Sequence, residues 1–362
     1  MSSDRKVEFL YLQQEDCVKA GGMDMKGTMQ ATERSFFLHG KEDFIQPGKP
    51  VIRWGGPETE ETTGRIMSMP SFLGGKEYEA ELKEKGLIGP VNSPGIKYIP
   101  SKPHNPSKFN LPRANAIIII NDPDTLMPAC IMDGTLVSAM RTGAASGVAV
   151  KHLAKKDSKV MGLVGGSVQG MTQTLAFKEG APTLEVCKIF DINREMSEKF
   201  VREMKAMGVE MEFQIVDSAE AAFRDSDVIS TATMAKAPYV DGSWYKEGAL
   251  HCEISFWDTP PEALKLVDFV VVDDWYQVRH HGVDVSCRAV KEGFIPEEKV
   301  RGNLGEIIVG KKPGRKSDKE KIFFNPIGMG IHDLSEAHRV YENAKRMGIG
   351  KTLPLWENPA LG

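Results

Sequence analysis

Two textures of hydrophobic patterning divide the chain. From about residue 140 onward, short apolar runs of strand length alternate with stretches whose apolar positions recur every three or four residues. KVMGLVGG (159–166), EVCKIFD (185–191), DVISTAT (227–233) and DFVVVDD (268–274) read as strands, as does AIIIIND (116–122) upstream. Between them, REMSEKFVREMKAMG (194–208) brings Met196, Phe200, Met204 and Met207 to helical spacing, so these methionines are expected to fill core rather than hold a ligand. Strand, helix and strand repeated in this way imply a parallel sheet. The first 140 residues are instead broken by turn signals such as QPGKP and NSPG and carry a charged, insertion-like stretch, KEYEAELKEKG, at 76–86. They are expected to form a separate α+β domain. A last amphipathic segment, LSEAHRVYENAKRMGIG (334–350), with Ser335 as its cap and a glycine at its end, predicts a helix that packs back on that first domain.

Length and composition narrow the function classes. With 362 residues and 41% hydrophobic content, the chain can build two ordinary cores. The opening MSSDRKVEF lacks a signal-peptide apolar stretch, and no run approaches the roughly 18 apolar residues of a membrane span, so a cytoplasmic location without membrane contact is expected. Five scattered cysteines without a CxxC pair predict buried thiols rather than disulfides or zinc. His280, His281 and the pair His251-Cys252 lack the spacing of a metal set, so no metal is expected. A net charge of −4 with no long basic run argues against nucleic acid. An anionic ligand therefore needs a local cluster of cations.

One turn carries recognisable chemistry. GLVGGSVQG (162–170) follows a strand and opens a helix, as the phosphate turn of a dinucleotide-binding unit does, with Ser167 at the middle glycine of G-x-G-x-x-G. Gly165 suits the tight turn and Gly170 the close helix packing. The Ser167 hydroxyl can donate to a charged acceptor, worth about 1.5–3 kcal/mol, and the helix N-terminus favours an anion in any case. Asp191 ends the next strand, where a carboxylate accepts from ribose hydroxyls and repels a 2′-phosphate, so NAD is expected over NADP. An ordinary glycine-rich loop is the alternative for the turn taken alone.

The longer motifs resemble the ornithine cyclodeaminase and mu-crystallin family. They are QPGKPVIR (46–53), MSMPSFLGG (67–75), GIKYIPSKPHNPSK (95–108), INDPDTLMPACIMDGTLVSAMRTGAASG (120–147), VVVDDWYQ (270–277), LGEIIVGKKPGR (304–315) and FNPIGMGIHDLSEAH (324–338). The style is most similar to the dehydrogenases that form 2,3-diaminopropionate for siderophores. The resemblance implies a Rossmann-type NAD domain over 141–322 and a discontinuous α+β substrate and dimerisation domain, 1–140 completed by 323–362, in a homodimer. It implies substrate contacts from Arg53, Met69, Lys97 and Arg141, of which Arg141 grips a carboxylate and Lys97 is an active-site lysine. NAD contacts are implied for Thr142, Gly165, Gly166, Ser167, Val168, Gln169, Gly170, Thr231 and Thr233, besides Asp191. Asp333 matches a family acid near the pocket, with a helix cap as its bland alternative.

The family's catalytic aspartate falls in HCEISFWDTPPEAL, where Asp258 is the carboxylate that fits, and its alternative role is the N-cap of TPPEAL. An acid there favours chemistry with water: NAD-dependent oxidation of the Cα–N bond of an N-(carboxyalkyl) amino acid, then hydrolysis to an amino acid and a 2-oxo acid. Ornithine or lysine cyclodeamination, imine reduction or amino-acid dehydrogenation, and a non-catalytic crystallin-like dimer are the rival readings. Two departures bear on the transfer: Ser167 itself, and the stretch 76–94, which is long enough to reshape or lid a pocket.

Overall fold

The computed structural model describes residues 6–55 and 64–360. They form two compact units. The first comprises residues up to Leu38, Glu42–Arg141 and Met329 onward, and the second His39–Lys41 with Thr142–Gly328. One division falls inside the helix Thr135–Leu153, between Arg141 and Thr142.

The first unit is built on a largely antiparallel sheet. Its strands run in the order Lys351–Trp356, Val7–Leu12, Pro128–Asp133, Ile117–Asn121, Ser93–Ser101 and Gly64–Leu73, with Phe44–Ile45 and Val51–Trp54 both paired to the last. Side chains alternate between faces along each strand. Met69, Lys97, Ile118 and Met132 lie in one cross-strand row and are all buried. The helix Gly330–Met347 packs on this face, so closely at Gly95 that an added Cβ would come 2.7 Å from Leu334 Cδ1. That helix begins five residues before the expected cap. Ser335 is inside it, fully buried, and its hydroxyl donates to the Ala31 carbonyl while accepting from Arg34. The helix does end at the expected glycine, left-handed Gly348. The charged stretch at 76–86 forms a 3-10 turn, Lys76–Tyr78, and the helix Glu79–Glu84, anchored by fully buried Leu82.

The second unit holds an all-parallel sheet. Its order is Glu212–Ile215, Val186–Phe190, Val160–Val164, Val228–Thr231, Leu250–Glu253, Ile322–Phe324, Phe269–Val272 and Val300–Asn303. Winding reverses between Val160–Val164 and Val228–Thr231, the switch point outside which open α/β sheets bind nucleotides. This is the Rossmann arrangement the sequence pattern predicts. The strands read as continuous apolar runs because both faces are covered. In the helix Arg194–Ala206, Phe200 and Met204 are fully buried. Met207 is exposed at the C-cap instead of filling core, since the apolar period runs one position beyond the helix. All five cysteines are buried free thiols, and burial pushes Cys17 and Cys187 up to about 12.

Candidate active site

In the first unit, two cations converge on one carboxylate. Lys97 Nζ and Arg141 Nε each lie 2.8 Å from Asp333, on Oδ2 and Oδ1 respectively, and all three side chains are buried. The sheet supplies Lys97, the helix Thr135–Leu153 supplies Arg141, and the first turn of Gly330–Met347 supplies Asp333. Ser138, one helical turn before Arg141, accepts from Lys97 Nζ at 3.2 Å. Burial and the Arg141 charge bring Lys97 down to about 7 against the opposing pull of Asp333. Two cations to one anion leave a deficit that a bound carboxylate balances, and arginine offers it a bidentate fork. Asp333 is thus no helix cap but the anion that organises the pair. Met69 sits directly across the strand pair from Lys97. Arg53 stands apart, exposed on the short strand Val51–Trp54.

In the second unit, the turn after Val160–Val164 has the shape that a diphosphate requires. Gly165 adopts φ +102°, and a Cβ there would lie 2.7 Å from the Ala232 carbonyl; one on Gly170 would lie 2.1 Å from the Gly165 carbonyl. Ser167 is the N-cap of the helix Val168–Gly180 but its side chain makes no cap bond, so the exposed hydroxyl is available at the helix N-terminus. Asp191 accepts from the Gly166 N–H at 2.9 Å and the Asn193 N–H at 3.0 Å, which fixes its carboxylate at the strand end. Beside it Ile192 is 96% exposed and Val168 61%, apolar surface suited to a flat base. Gln169 Oε1 is buried without a partner, and the Thr142 carbonyl accepts from Gln173 Nε2. These residues fit NAD.

Thr231 is fully buried, and its hydroxyl is engaged with His251 Nε2 at 2.9 Å, whose Nδ1 meets the Tyr245 hydroxyl at 2.7 Å. Burial lowers His251 to about 3, and the ring is neutral.

Thr233 belongs to a different cluster. Its hydroxyl donates to Asp258 Oδ1 at 2.5 Å and its N–H approaches Oδ2 at 3.3 Å. Asp258 is fully buried, and its backbone holds the Tyr239 and Val240 amides through its carbonyl. The turn that follows, Pro261–Leu266, is capped by Pro260, so Asp258 is not its cap. The Asp258 N–H donates to Glu253 Oε1 at 3.3 Å. Burial drives the Glu253 carboxyl well above the usual carboxylate range. Tyr239 is likewise pushed up, first by burial and then by the charge of Asp258. Sequence reasoning missed Glu253, Tyr239 and Ser138. Only Ser138 carried a signal, its place three residues before Arg141 on one helix. Among the described residues no group of three or more His, Cys, Asp or Glu is disposed to hold a metal ion, and no helix is long and apolar enough to cross a membrane.

The family model of the ornithine cyclodeaminase/mu-crystallin family matches residues 28–348. The chain belongs to this family. It is 35% identical to an N-((2S)-2-amino-2-carboxyethyl)-L-glutamate dehydrogenase of Staphylococcus aureus, over 96% of this chain and 99% of that protein. A Delta(1)-pyrroline-2-carboxylate reductase of Thermococcus litoralis, solved with NADH and L-proline, superimposes with a TM-score of 0.81 at 32% identity, covering 95% of this chain and 100% of that one. An archaeal alanine dehydrogenase dimer with bound NAD gives 0.79 at 30% identity, covering 97% and 100%. The cofactor of this family member is NAD.

Proposed function

We propose that this NAD-dependent oxidoreductase acts on the Cα–N bond of an N-(carboxyalkyl) amino acid and hydrolyses the resulting imine. Arg141 and Lys97 bind the carboxylate on the reacting carbon, and Asp333 holds the two cations in place for it. When bound, NAD supplies the acceptor for the hydride that leaves this carbon as the carbon–nitrogen double bond forms. The imine is electrophilic, and Asp258 takes a proton from the water that adds to it. Collapse of the carbinolamine breaks the carbon–nitrogen bond; the proton goes to the departing amine and the carbon becomes a 2-oxo acid. One secondary amine, one NAD+ and one water thus give one amine, one 2-oxo acid, one NADH and one proton.

The observation that carries the hydrolytic step is Asp258: a buried carboxylate with no capping duty, oriented by a threonine hydroxyl at the carboxyl end of the dinucleotide sheet. The resemblance to the S. aureus dehydrogenase supports the same substrate class. Incubation with NAD and a panel of N-(carboxyalkyl) amino acids, ornithine and lysine tests the reading. One mole of NADH per mole of 2-oxo acid is expected; product without net NADH identifies a cyclodeaminase instead.

The homodimer belongs to the same proposal. The sheet face of the first unit opposite the Gly330–Met347 helix presents Tyr11, Tyr98, Ile117 and Leu353, each 38–47% exposed. The dimeric state of the archaeal relative supports a second copy as its cover. Light scattering should give a dimer, and Ile117→Lys should shift it toward monomer.

A further inference from the structure

Asp258 is held from two directions within the second unit. On one side, the segment after the strand Val228–Thr231 brings the Thr233 hydroxyl and N–H to its carboxylate, and the Tyr239 and Val240 amides donate to its carbonyl at 2.9 and 3.1 Å. That segment is irregular and partly exposed, with Met234 at its surface. A site is fixed more precisely by side chains on strands and helices than by loops. Such a side chain comes from the other direction: Glu253, the last residue of the strand Leu250–Glu253. Its backbone stands in register with Thr231 of the neighbouring parallel strand, and its carbonyl accepts from Asn325 Nδ2 at 3.4 Å. Its side chain turns back over residues 254–259. There Oε1 accepts the Asp258 N–H at 3.3 Å, and the Thr259 amide and hydroxyl face the same carboxyl. The outer side of the loop is covered as well, Phe256 by the His281 ring at 5.3 Å and Trp257 by the Arg288 guanidinium at 3.8 Å. Glu253 is fully buried and forms no salt bridge among the described residues. An acid so placed costs stability. A leucine would avoid that cost but leave the Asp258 N–H without its acceptor.

Resting on the hydrolysis proposed above, we propose that Glu253 is the positioning residue of that step: its carboxyl passes the fixed geometry of the strand to the Asp258 backbone and holds the base where water adds to the imine. Glu253 acts through Asp258 and not by contact with the substrate.

The test reads two substitutions in two backgrounds. Glu253→Met removes the acceptor at similar length, and Glu253→Gln keeps an acceptor oxygen on the same frame. A base misplaced by about an ångström forfeits on the order of 10²-fold, so steady-state kcat of Glu253→Met should fall roughly 10- to 100-fold. KM and the Kd for NAD should stay within about twofold, because binding is untouched when a group acts in the transition state alone. The first-turnover burst of NADH should survive, since hydride transfer precedes the step that Glu253 serves. Glu253→Gln should recover most of the lost turnover. In an Asp258→Asn background Glu253→Met should cost nothing further, because residues that act as one unit are non-additive. Native kcat in Glu253→Met, equal losses in the methionine and glutamine variants, loss of the burst along with steady-state turnover, or additive losses in the double variant would each overturn the positioning role. If the methionine variant does not fold, Glu253→Asp, which draws the carboxyl back by one methylene, takes its place in the same cycle with the same expected signs. Native turnover in Asp258→Asn alone sinks the hydrolytic reading and the positioning role with it; a loss in Asp258→Asn followed by additivity sinks the positioning role alone.

Discussion

Two clusters, one in each unit, handle buried charge in opposite ways. In the first, Lys97 and Arg141 share the single carboxylate of Asp333, and the imbalance is positive. In the second, Asp258 and Glu253 lie together with no salt bridge to a cation among the described residues, held by a threonine hydroxyl and backbone amides. Desolvation alone raises a carboxyl, whereas a neighbouring cation holds it charged. The difference bears on the roles proposed for each cluster: an excess of buried cations suits an anion, while a carboxylate held only by hydroxyl and amide donors is open to a water molecule. Glu253 shows the second environment in its own raised proton affinity.

Removing the proposed base breaks the contrast most sharply. A positioned general base contributes about 10²–10⁴-fold. Asp258→Asn keeps the shape and should retain folding and both ligand affinities while steady-state turnover falls by that factor. A burst of NADH absorbance in stopped flow should survive, because imine forms faster than it is hydrolysed. Turnover at the native rate would reduce Asp258 to a structural bond with Thr233.

Emptying one place in the cation cluster comes next. Truncating one partner of a buried charge pair costs about 2–5 kcal/mol. Arg141→Ala should weaken substrate binding accordingly and leave NAD binding within twofold, since the nucleotide residues belong to the other unit. Titration of each ligand separately checks this; equal loss of both marks a folding defect.

Legibility differs between the units for physical reasons. Strand and helix periods, the glycine turn and Asp191 at a strand end are local in sequence, so the parallel sheet and the nucleotide edge are readable from the residues alone. Lys97, Arg141 and Asp333 come from a strand and two helices far apart in the chain, and resemblance to a family singles them out where spacing offers nothing. Ser335 misleads because the Gly330–Met347 helix begins without a capping side chain at Met329, and the nearest serine borrows the signature. Thr231 and Thr233 look alike in STAT, yet one is consumed by His251, twenty residues away, and the other by Asp258. Glu253 stays hidden because an acid closing a buried strand has no local pattern of its own.

The pH dependence sharpens the comparison from the cation side. Lys97 is brought to about 7, mainly by burial. Substrate affinity should be flat below that pH and fall by up to tenfold per unit above it, and Lys97→Met should remove the slope. The stability effect has the opposite sign. Between about 7 and the lysine's ordinary 10.5 the unfolded chain binds more protons, so this group adds stability as pH rises through that window. Urea unfolding at pH 7 and 9, native against Lys97→Met, separates the two.

The smallest effect belongs to Ser167, where the nucleotide turn departs from glycine. Its side chain makes no cap bond, so Ser167→Gly removes a hydroxyl without removing a helix-capping contact. Serine replaced by glycine at an N-cap costs only a few tenths of a kcal/mol, and the melting temperature should scarcely move. A hydroxyl donating to a diphosphate oxygen contributes at most about 1.5–3 kcal/mol when shielded. Ser167 is exposed, so a bond to the diphosphate replaces solvation of its hydroxyl, which brings the net value toward about 1 kcal/mol, roughly fivefold in Kd. NAD should therefore bind about fivefold more weakly to Ser167→Gly. Ser167→Val, with bulk at the turn and no donor, should bind more weakly still. If the glycine variant binds NAD more tightly than the native enzyme, the serine hinders the diphosphate's approach, and backbone amides at the helix N-terminus carry the anion without its help.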